Sequence, residues 1–243
     1  MSFFSEFFNI TESDHEQAVC CPFPHSTGGN MTYLETRPSA HVNTSKQVFH
    51  CKVCGKGYSE SQFICRVLGC SAVDALRILK NFAHAENLFT WKQTRTLTDK
   101  GKEVAQQFKI SDAVLEELHI ATPSGRDESL MFPVFLHGQL MDIRTYTPNG
   151  SPKIKSRSGS MAGLIIPYDI WKDTDPTRTT IICAGEKDMA VARSFGFNAI
   201  TITGGEKMVP RTPAQFKDRV VAICYDNDGP GLEGAEIVAN ALY

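Results

Sequence analysis

Three rhythms of apolar and polar residues divide the chain. Between residues 17 and 60 the apolar positions alternate in short runs, Thr32-Tyr33-Leu34, Ala40-His41-Val42 and Val48-Phe49-His50. Gly28-Gly29-Asn30 breaks the chain between them, so this part predicts short strands and turns. The period then lengthens. Residues 61–64 and 71–82 predict helices, the second with Val73, Leu76, Ile78 and Leu79 on an apolar face, Ser71 as its cap and Asp74 three positions on. Residues 91–109 hold five basic and two acidic residues, a glycine and few apolar ones, and read as a basic linker. A short helix over 113–119 precedes two strands, 131–135 and 140–146, paired as a hairpin around His137-Gly138-Gln139.

The last third alternates the two periods. Apolar runs at 179–184, 198–203 and 220–225 read as strands, with helices over 188–195 and from Leu232 to the end. Strands alternating with helices predict a parallel sheet, whose ligand sites lie beyond the carboxyl ends of the strands. The expected fold class is therefore α+β and multidomain, with a small β-rich domain followed by an α/β domain.

Length and composition narrow the possibilities. A chain of 243 residues, 42% hydrophobic and 21% charged, suffices for one large domain or two small ones and excludes a disordered tail or a disulfide miniprotein. No stretch approaches the ~18 apolar residues of a membrane span, and the N-terminus does not read as a secretory signal. A cytoplasmic location, with no membrane partner, is the expectation. The formal net charge of −2 hides local asymmetry: the first 19 residues carry four acids and no Lys or Arg, whereas residues 144–157 carry four bases and no acid.

Eight cysteines without an export signal are not expected to pair, because the cytosol keeps thiols reduced. Cys51-Lys52-Val53-Cys54 is a turn on which two thiolates converge on one ion, with Gly55 and Gly57 beyond it for backbone freedom. Cys21-Pro22-Phe23-Pro24-His25 offers the other half. Cys21, His25, Cys51 and Cys54 make a Cys₃His set suited to a closed, structural, tetrahedral zinc. A redox CxxC or simply buried thiols are the competing readings, and Cys20 competes with Cys21 for the first position. Cys65, Cys70, Cys183 and Cys224 read as small core residues.

Acids gather at the predicted strand ends: Gly185-Glu186-Lys187-Asp188 after the first, Gly204-Gly205-Glu206 after the second, and Asp226-Asn227-Asp228-Gly229 after the third. Asp226 and Asp228 alternate and can share a face, where oxygen ligands would hold Mg²⁺ or Mn²⁺, with Glu186 or Asp188 completing the set. The alternative is that Asp-Asn-Asp-Gly is a turn or a helix cap. No GxxxxGK[ST] phosphate loop occurs.

Taken in order, these motifs resemble phage DNA primases, the primase part of phage primase–helicases. Cys21 to His25 with Phe49 to Gly55 resembles the primase zinc-binding module, a zinc-ribbon domain. Gly185 to Met189 with Tyr225 to Gly231 resembles the TOPRIM catalytic fold, and residues 132–171 resemble the basic subdomain that precedes it. The resemblance implies a zinc domain over 1–90, the linker, a basic subdomain over 110–178 and a TOPRIM subdomain over 179–243, apparently incomplete at its end. It implies synthesis of RNA primers on single-stranded DNA from ribonucleoside triphosphates, the zinc domain selecting the template site and a replicative helicase as partner, in the host cytoplasm if phage-encoded. Glu186, Asp188, Asp226 and Asp228 would be the catalytic and metal-binding acids. Arg144, Lys153, Lys155 and Arg157 would meet nucleotide or template.

One position departs from that pattern. The family's first motif reads Glu-Gly-x-x-Asp with a leading general acid/base, and this chain has Ala184 there. Either Glu186 takes the role, or a metal-bound water does, or the site is inactive. An impaired single-stranded-DNA-binding accessory module is therefore the alternative function. A nuclease or topoisomerase on the same fold fits less well: the primase-type zinc module argues against both, and a topoisomerase would need a nucleophilic tyrosine in an additional domain, for which the chain is too short.

Overall fold

The computed structural model describes residues 2–8, 10–23, 25–26, 32–33, 37–82, 88–157 and 160–243. Leu34 and the Gly28-Gly29-Asn30 break lie outside the described residues. The chain divides into two compact units, residues 1–85 and 86–243.

The first unit opens with a helix that the sequence reading did not foresee, α1 (Phe3–Phe8). Short strands follow: β1 (Gln17–Val19), β2 (His25–Ser26), β3 (Thr32–Tyr33), β4 (Ala40–Asn43), β5 (Val48–Cys51) and β6 (Gly57–Ser59), then helices α2 (Glu60–Leu68) and α3 (Ala72–Phe82). Strands β1, β4, β5 and β6 form one antiparallel sheet in that order, and β2 and β3 form a separate pair. Aromatic rings fill the core. Phe63 of α2 meets Phe4, Phe7 and Phe49 at centroid distances of 5.1, 5.0 and 5.0 Å. Ser59 and Gln62 close a capping box that starts α2, and Gly69 in the left-handed region ends it. The α3 helix is found where expected, but turned. Ala75 and Ile78 are buried, while Val73 and Leu76, predicted for the apolar face, are exposed.

The second unit begins with two helices where a linker was expected, α4 (Leu88–Thr94) and α5 (Asp99–Gln107). The basic residues there stay on the surface while Trp91 is buried, its ring 6.2 Å from Phe135 and its Nε1 donating to the His119 carbonyl. Trp91, with Val104 and Ala105 of α5, anchors a segment whose average composition is polar. Helix α6 (Asp112–Glu117) leads into a three-stranded antiparallel sheet of β7 (Leu130–Leu136), β8 (Gln139–Tyr146) and β9 (Ile154–Lys155). Pro133 is tolerated because β7 is an edge strand. The β7–β8 turn is two residues long, His137 and Gly138, both at positive φ. The Asp169 carboxylate accepts both of their backbone N–H groups at 2.7 Å.

Next come β10 (Ile165–Ile166), α7 (Tyr168–Trp171), β11 (Thr180–Cys183), α8 (Glu186–Ser194), β12 (Asn198–Ile202), β13 (Val221–Cys224) and α9 (Gly229–Leu242). Their sheet runs β10-β12-β11-β13, with β11 parallel to both neighbours and β10 antiparallel at one edge. The three parallel strands are those expected, and the antiparallel edge is added. Ile182, Ile200, Trp171 and Val238 sit in its core. Cys224, expected inside, is exposed, because β13 is the other edge of the sheet. The fold class is α+β, a β-rich unit followed by an α/β unit.

Candidate functional site

The first unit brings Cys21, His25, Cys51 and Cys54 together, with one ligand atom of each within 4.8 Å of all the others. Cys51 ends β5, His25 starts β2, and Cys54 lies in the turn after Cys51. Of the two candidates for the first position, the buried Cys21 stands in the cluster, and Cys20 is exposed and outside it. The Cys51 Sγ lies 3.4 Å from His25 Nε2, 3.5 Å from the Ser39 hydroxyl and 3.5 Å from the Cys54 N–H that donates to it. Burial pushes the Cys21 thiol up to about 12. At Cys51 burial acts in the same sense, but hydrogen bonds from the Cys54 backbone and Ser39 prevail and hold it at about 7. Soft thiolates with one imidazole, closely spaced and largely buried, fit zinc. A hydrogen-bonded, stabilised thiolate at Cys51 is what a metal ligand requires.

In the second unit the predicted acids stand at the carboxyl ends of β11 and β13. Glu186 and Asp188 lie in the first turn of α8, and Asp228 caps α9 by accepting the Gly231 N–H at 2.8 Å. The cap reading of Asp-Asn-Asp-Gly therefore holds for Asp228. A side chain at Gly231 would collide with the Asp226 carbonyl, so the turn needs glycine there. Asp226 and Asp228 are exposed. Among the described residues these carboxylates do not close into a set of three within 4.8 Å, as the Cys₃His group does. The donor chemistry suits a hard cation, and the spacing is open.

Two bases that meet these acids change their roles. Arg144, expected to face nucleotide or template, points its Nε at Glu186 Oε1, 2.5 Å away, with the two side chains 11% and 3% exposed. Its other arm donates to the Ser156 hydroxyl. Glu186 is thus buried and engaged, a poor geometry for a base that must collect a proton from substrate. Lys187, which the sequence reading did not single out, pairs with Asp188 at 2.7 Å. That hydrogen bond raises its pKa, and the charge of Asp226 adds to the effect. Its sequence signal was adjacency to the acidic motif. Lys153, Lys155 and Arg157 are exposed on and beyond β9. A cleft lined by Leu118, His119, Phe132, Ile166 and Tyr168 contains none of the predicted acids or bases.

No family profile matches the chain. It is 22% identical over 283 aligned residues to a DNA primase of Campylobacter jejuni, a match spanning 89% of this chain and 45% of the relative. A crystal structure of the zinc-binding and RNA polymerase domains of the Aquifex aeolicus primase superimposes with a TM-score of 0.50 at 16% identity, covering 98% of this chain and 72% of that one. The chain has the fold of a DNA primase. A DnaG primase catalytic domain bound to single-stranded DNA matches with a TM-score of 0.51 at 14% identity, over 68% of this chain and 66% of that one. The primase fold accounts for the order of the two units. The chain spans less than half the length of the Campylobacter primase.

Proposed function

We propose that this chain synthesises short RNA primers on single-stranded DNA, the first unit selecting the template site and the second joining ribonucleotides. One observation carries this reading: a closed Cys₃His cluster precedes an acid-tipped parallel sheet in a chain whose primase fold extends over 98% of its length. Zinc, held by Cys21, His25, Cys51 and Cys54, would fix the short strands of the first unit, each of only two to four residues.

In the second unit Asp188, Asp226 and Asp228 are the groups assigned to Mg²⁺ or Mn²⁺; Asp226 and Asp228 are exposed, while Asp188 is held by Lys187 and Asp228 spends one oxygen on the α9 cap. Such an ion supplies charge neutralisation at a phosphate and a lowered pKa for an attacking hydroxyl. The chain's own residues position the reactants. Lys153, Lys155 and Arg157 draw phosphates of template or nucleotide by Coulomb attraction, and Arg144, tied to Glu186, links that row to the acidic loop. Glu186 acts through Arg144 in this scheme. A replicative helicase as partner follows from the resemblance alone.

The test is ribonucleotide incorporation on single-stranded DNA with Mg²⁺ or Mn²⁺. Product that persists after Asp226→Ala plus Asp228→Ala would show the assigned site to be wrong. A second reading, an accessory module that binds single strands without priming, is favoured by one observation: Ala184 removes the usual acid, and the nearest acid, Glu186, is buried against Arg144. Priming gained on Ala184→Glu supports the enzyme, and strand binding without product in both forms supports the module.

A further inference from the structure

A carboxylate that the sequence reading passed over sits beneath the basic row. Asp142 lies in β8, two residues before Arg144, and is fully buried. Its Oδ1 accepts two backbone N–H groups, from Ile143 at 2.7 Å and from Arg157 at 3.0 Å. Its Oδ2 has no hydrogen-bond partner among the described residues. Burying a carboxylate with one oxygen unused is unfavourable, and an apolar residue at this strand position would avoid the cost.

What Asp142 does is reach across to the next segment. Strand β9 pairs with β8 only at Lys155 with Thr145 and Ile154 with Tyr146. Beyond Lys155 the ladder stops, and the Arg157 N–H goes to the Asp142 carboxylate. Between these two attachments Arg144 donates to Ser156. Residues 153–157 are thereby fastened along β8 by three successive bonds of different kinds. Lys153, Lys155 and Arg157 fall at alternate positions of this extended segment and are all exposed.

We propose that Asp142 is a positioning residue: its Oδ1 holds the backbone of Arg157 to β8 and so keeps Lys153, Lys155 and Arg157 as a preformed row of cations for the phosphates of a single-stranded nucleic acid. The identity of that anion rests on the primase reading. A row fixed in advance loses less conformational freedom on binding than three cations on a loose loop. The unused Oδ2 implies that the accepting oxygen, rather than the negative charge, performs the task.

The experiment uses the full chain, a fluorescent oligothymidylate and a range of KCl concentrations, with primer synthesis measured alongside. Asp142→Ala is expected to weaken strand binding about tenfold. Its salt dependence should become shallower by about two, because each phosphate contact to a single strand contributes ~0.7 to the slope. Template KM should rise while kcat holds. Asp142→Asn keeps the accepting oxygen and should rescue binding to within about twofold of the original, a loss under ~0.4 kcal/mol. If the alanine variant does not fold, Asp142→Leu keeps the branched outline of the side chain without an acceptor and replaces it. Equal binding and equal salt slope in the original and the acceptor-free variant overturn the proposal, as does an asparagine variant as weak as the acceptor-free one. If the original protein neither binds the oligomer nor primes, the primase reading falls together with it. If it does both and the variants match it, only the positioning role falls.

Discussion

Glu186→Ala removes one half of an ion pair whose charged atoms lie 2.5 Å apart and whose side chains are 11% and 3% exposed. With the charge centres ~4 Å apart and an effective dielectric of ~20, the attraction is ~4 kcal/mol. Breaking a buried pair at one end leaves the other charge stranded, at a typical cost of ~3–5 kcal/mol. For Glu186→Ala we expect ~3 kcal/mol, because Arg144 keeps Ser156 and some access to water. For Arg144→Ala we expect ~4 kcal/mol, since the Glu186 carboxylate is the more deeply buried of the two.

The double variant removes both charges at once and should cost less than the sum, with a coupling of ~2–3 kcal/mol. The chain itself provides the reporter. Its two tryptophans, Trp91 and Trp171, are both buried and both in residues 86–243, so fluorescence during urea unfolding follows the second unit alone. If the double variant costs the sum of the single ones to within ~0.5 kcal/mol, the pair is uncoupled and the link between basic row and acidic loop is wrong.

Three further outcomes are expected. Purified protein should carry about one zinc per chain, and chelation or Cys54→Ser should unfold the first unit, given apparent zinc affinities worth ~10–16 kcal/mol, while leaving tryptophan fluorescence unchanged; a metal-free protein with intact circular dichroism refutes this. Asp228→Asn should retain the α9 cap and its stability yet lower primer synthesis by roughly 100-fold, whereas Asp228→Ala should also lose ~1 kcal/mol of stability; full activity in both removes Asp228 from the site. Burial lowers the pKa of His119 and His137, so the unfolded chain, titrating near ~6.5, binds protons that the folded one refuses. Stability of the second unit should therefore be full above about pH 6.5 and decline as pH falls below it, and His137→Asn, which keeps a residue tolerant of positive φ in the turn, should flatten that decline; superimposable urea midpoints from pH 7.5 to 5.5 refute it.

Some of this structure could be read in the sequence because its cause is local. The ligand spacing of Cys51 and Cys54 fixes a turn whatever the surroundings, and the runs over Thr180–Cys183 and Asn198–Ile202 are too apolar to be anything but buried strands. Other parts depend on partners distant in the chain. Phe3, Phe4, Phe7 and Phe8 carry the i, i+4 spacing of a helix, but over only six residues, and α1 is held by Phe63 and Phe49. The stretch around Trp91 averages as polar, yet the buried indole, with Val104 and Ala105, decides its fate. Val73 and Leu76 fit a helical apolar face as well as Ala75 and Ile78 do, and tertiary packing chose the smaller stripe. At the candidate site, the motifs pointed to the acids at the strand ends but to none of their pairings, and Asp142 carried no signal. That Glu186 would be claimed by Arg144 depends on β8 passing the head of α8, and that Asp142 would hold Arg157 depends on β9 pairing with β8.

Those pairings bear on how an acidic site can admit a polyanion. Four carboxylates at one end of a sheet would repel a phosphate until a cation arrives, and the row of Lys153, Lys155 and Arg157 alone would hold the phosphate at a distance from the chemistry. On the proposed function, two bases would answer both problems. Arg144 neutralises Glu186 and continues the positive row toward the acids, while Lys187 occupies Asp188 at 2.7 Å and lies near Asp226. On the proposed assignment, a divalent ion bound to Asp188 and Asp226 would displace that ammonium or share the carboxylates with it, and Lys187 would set a threshold for metal entry. Ala184 belongs to the same balance. Restoring glutamate there adds an acid that neither base is placed to neutralise, so the substitution should tighten the hold on a divalent ion as well as supply a proton acceptor, and the metal concentration for half-maximal priming should fall.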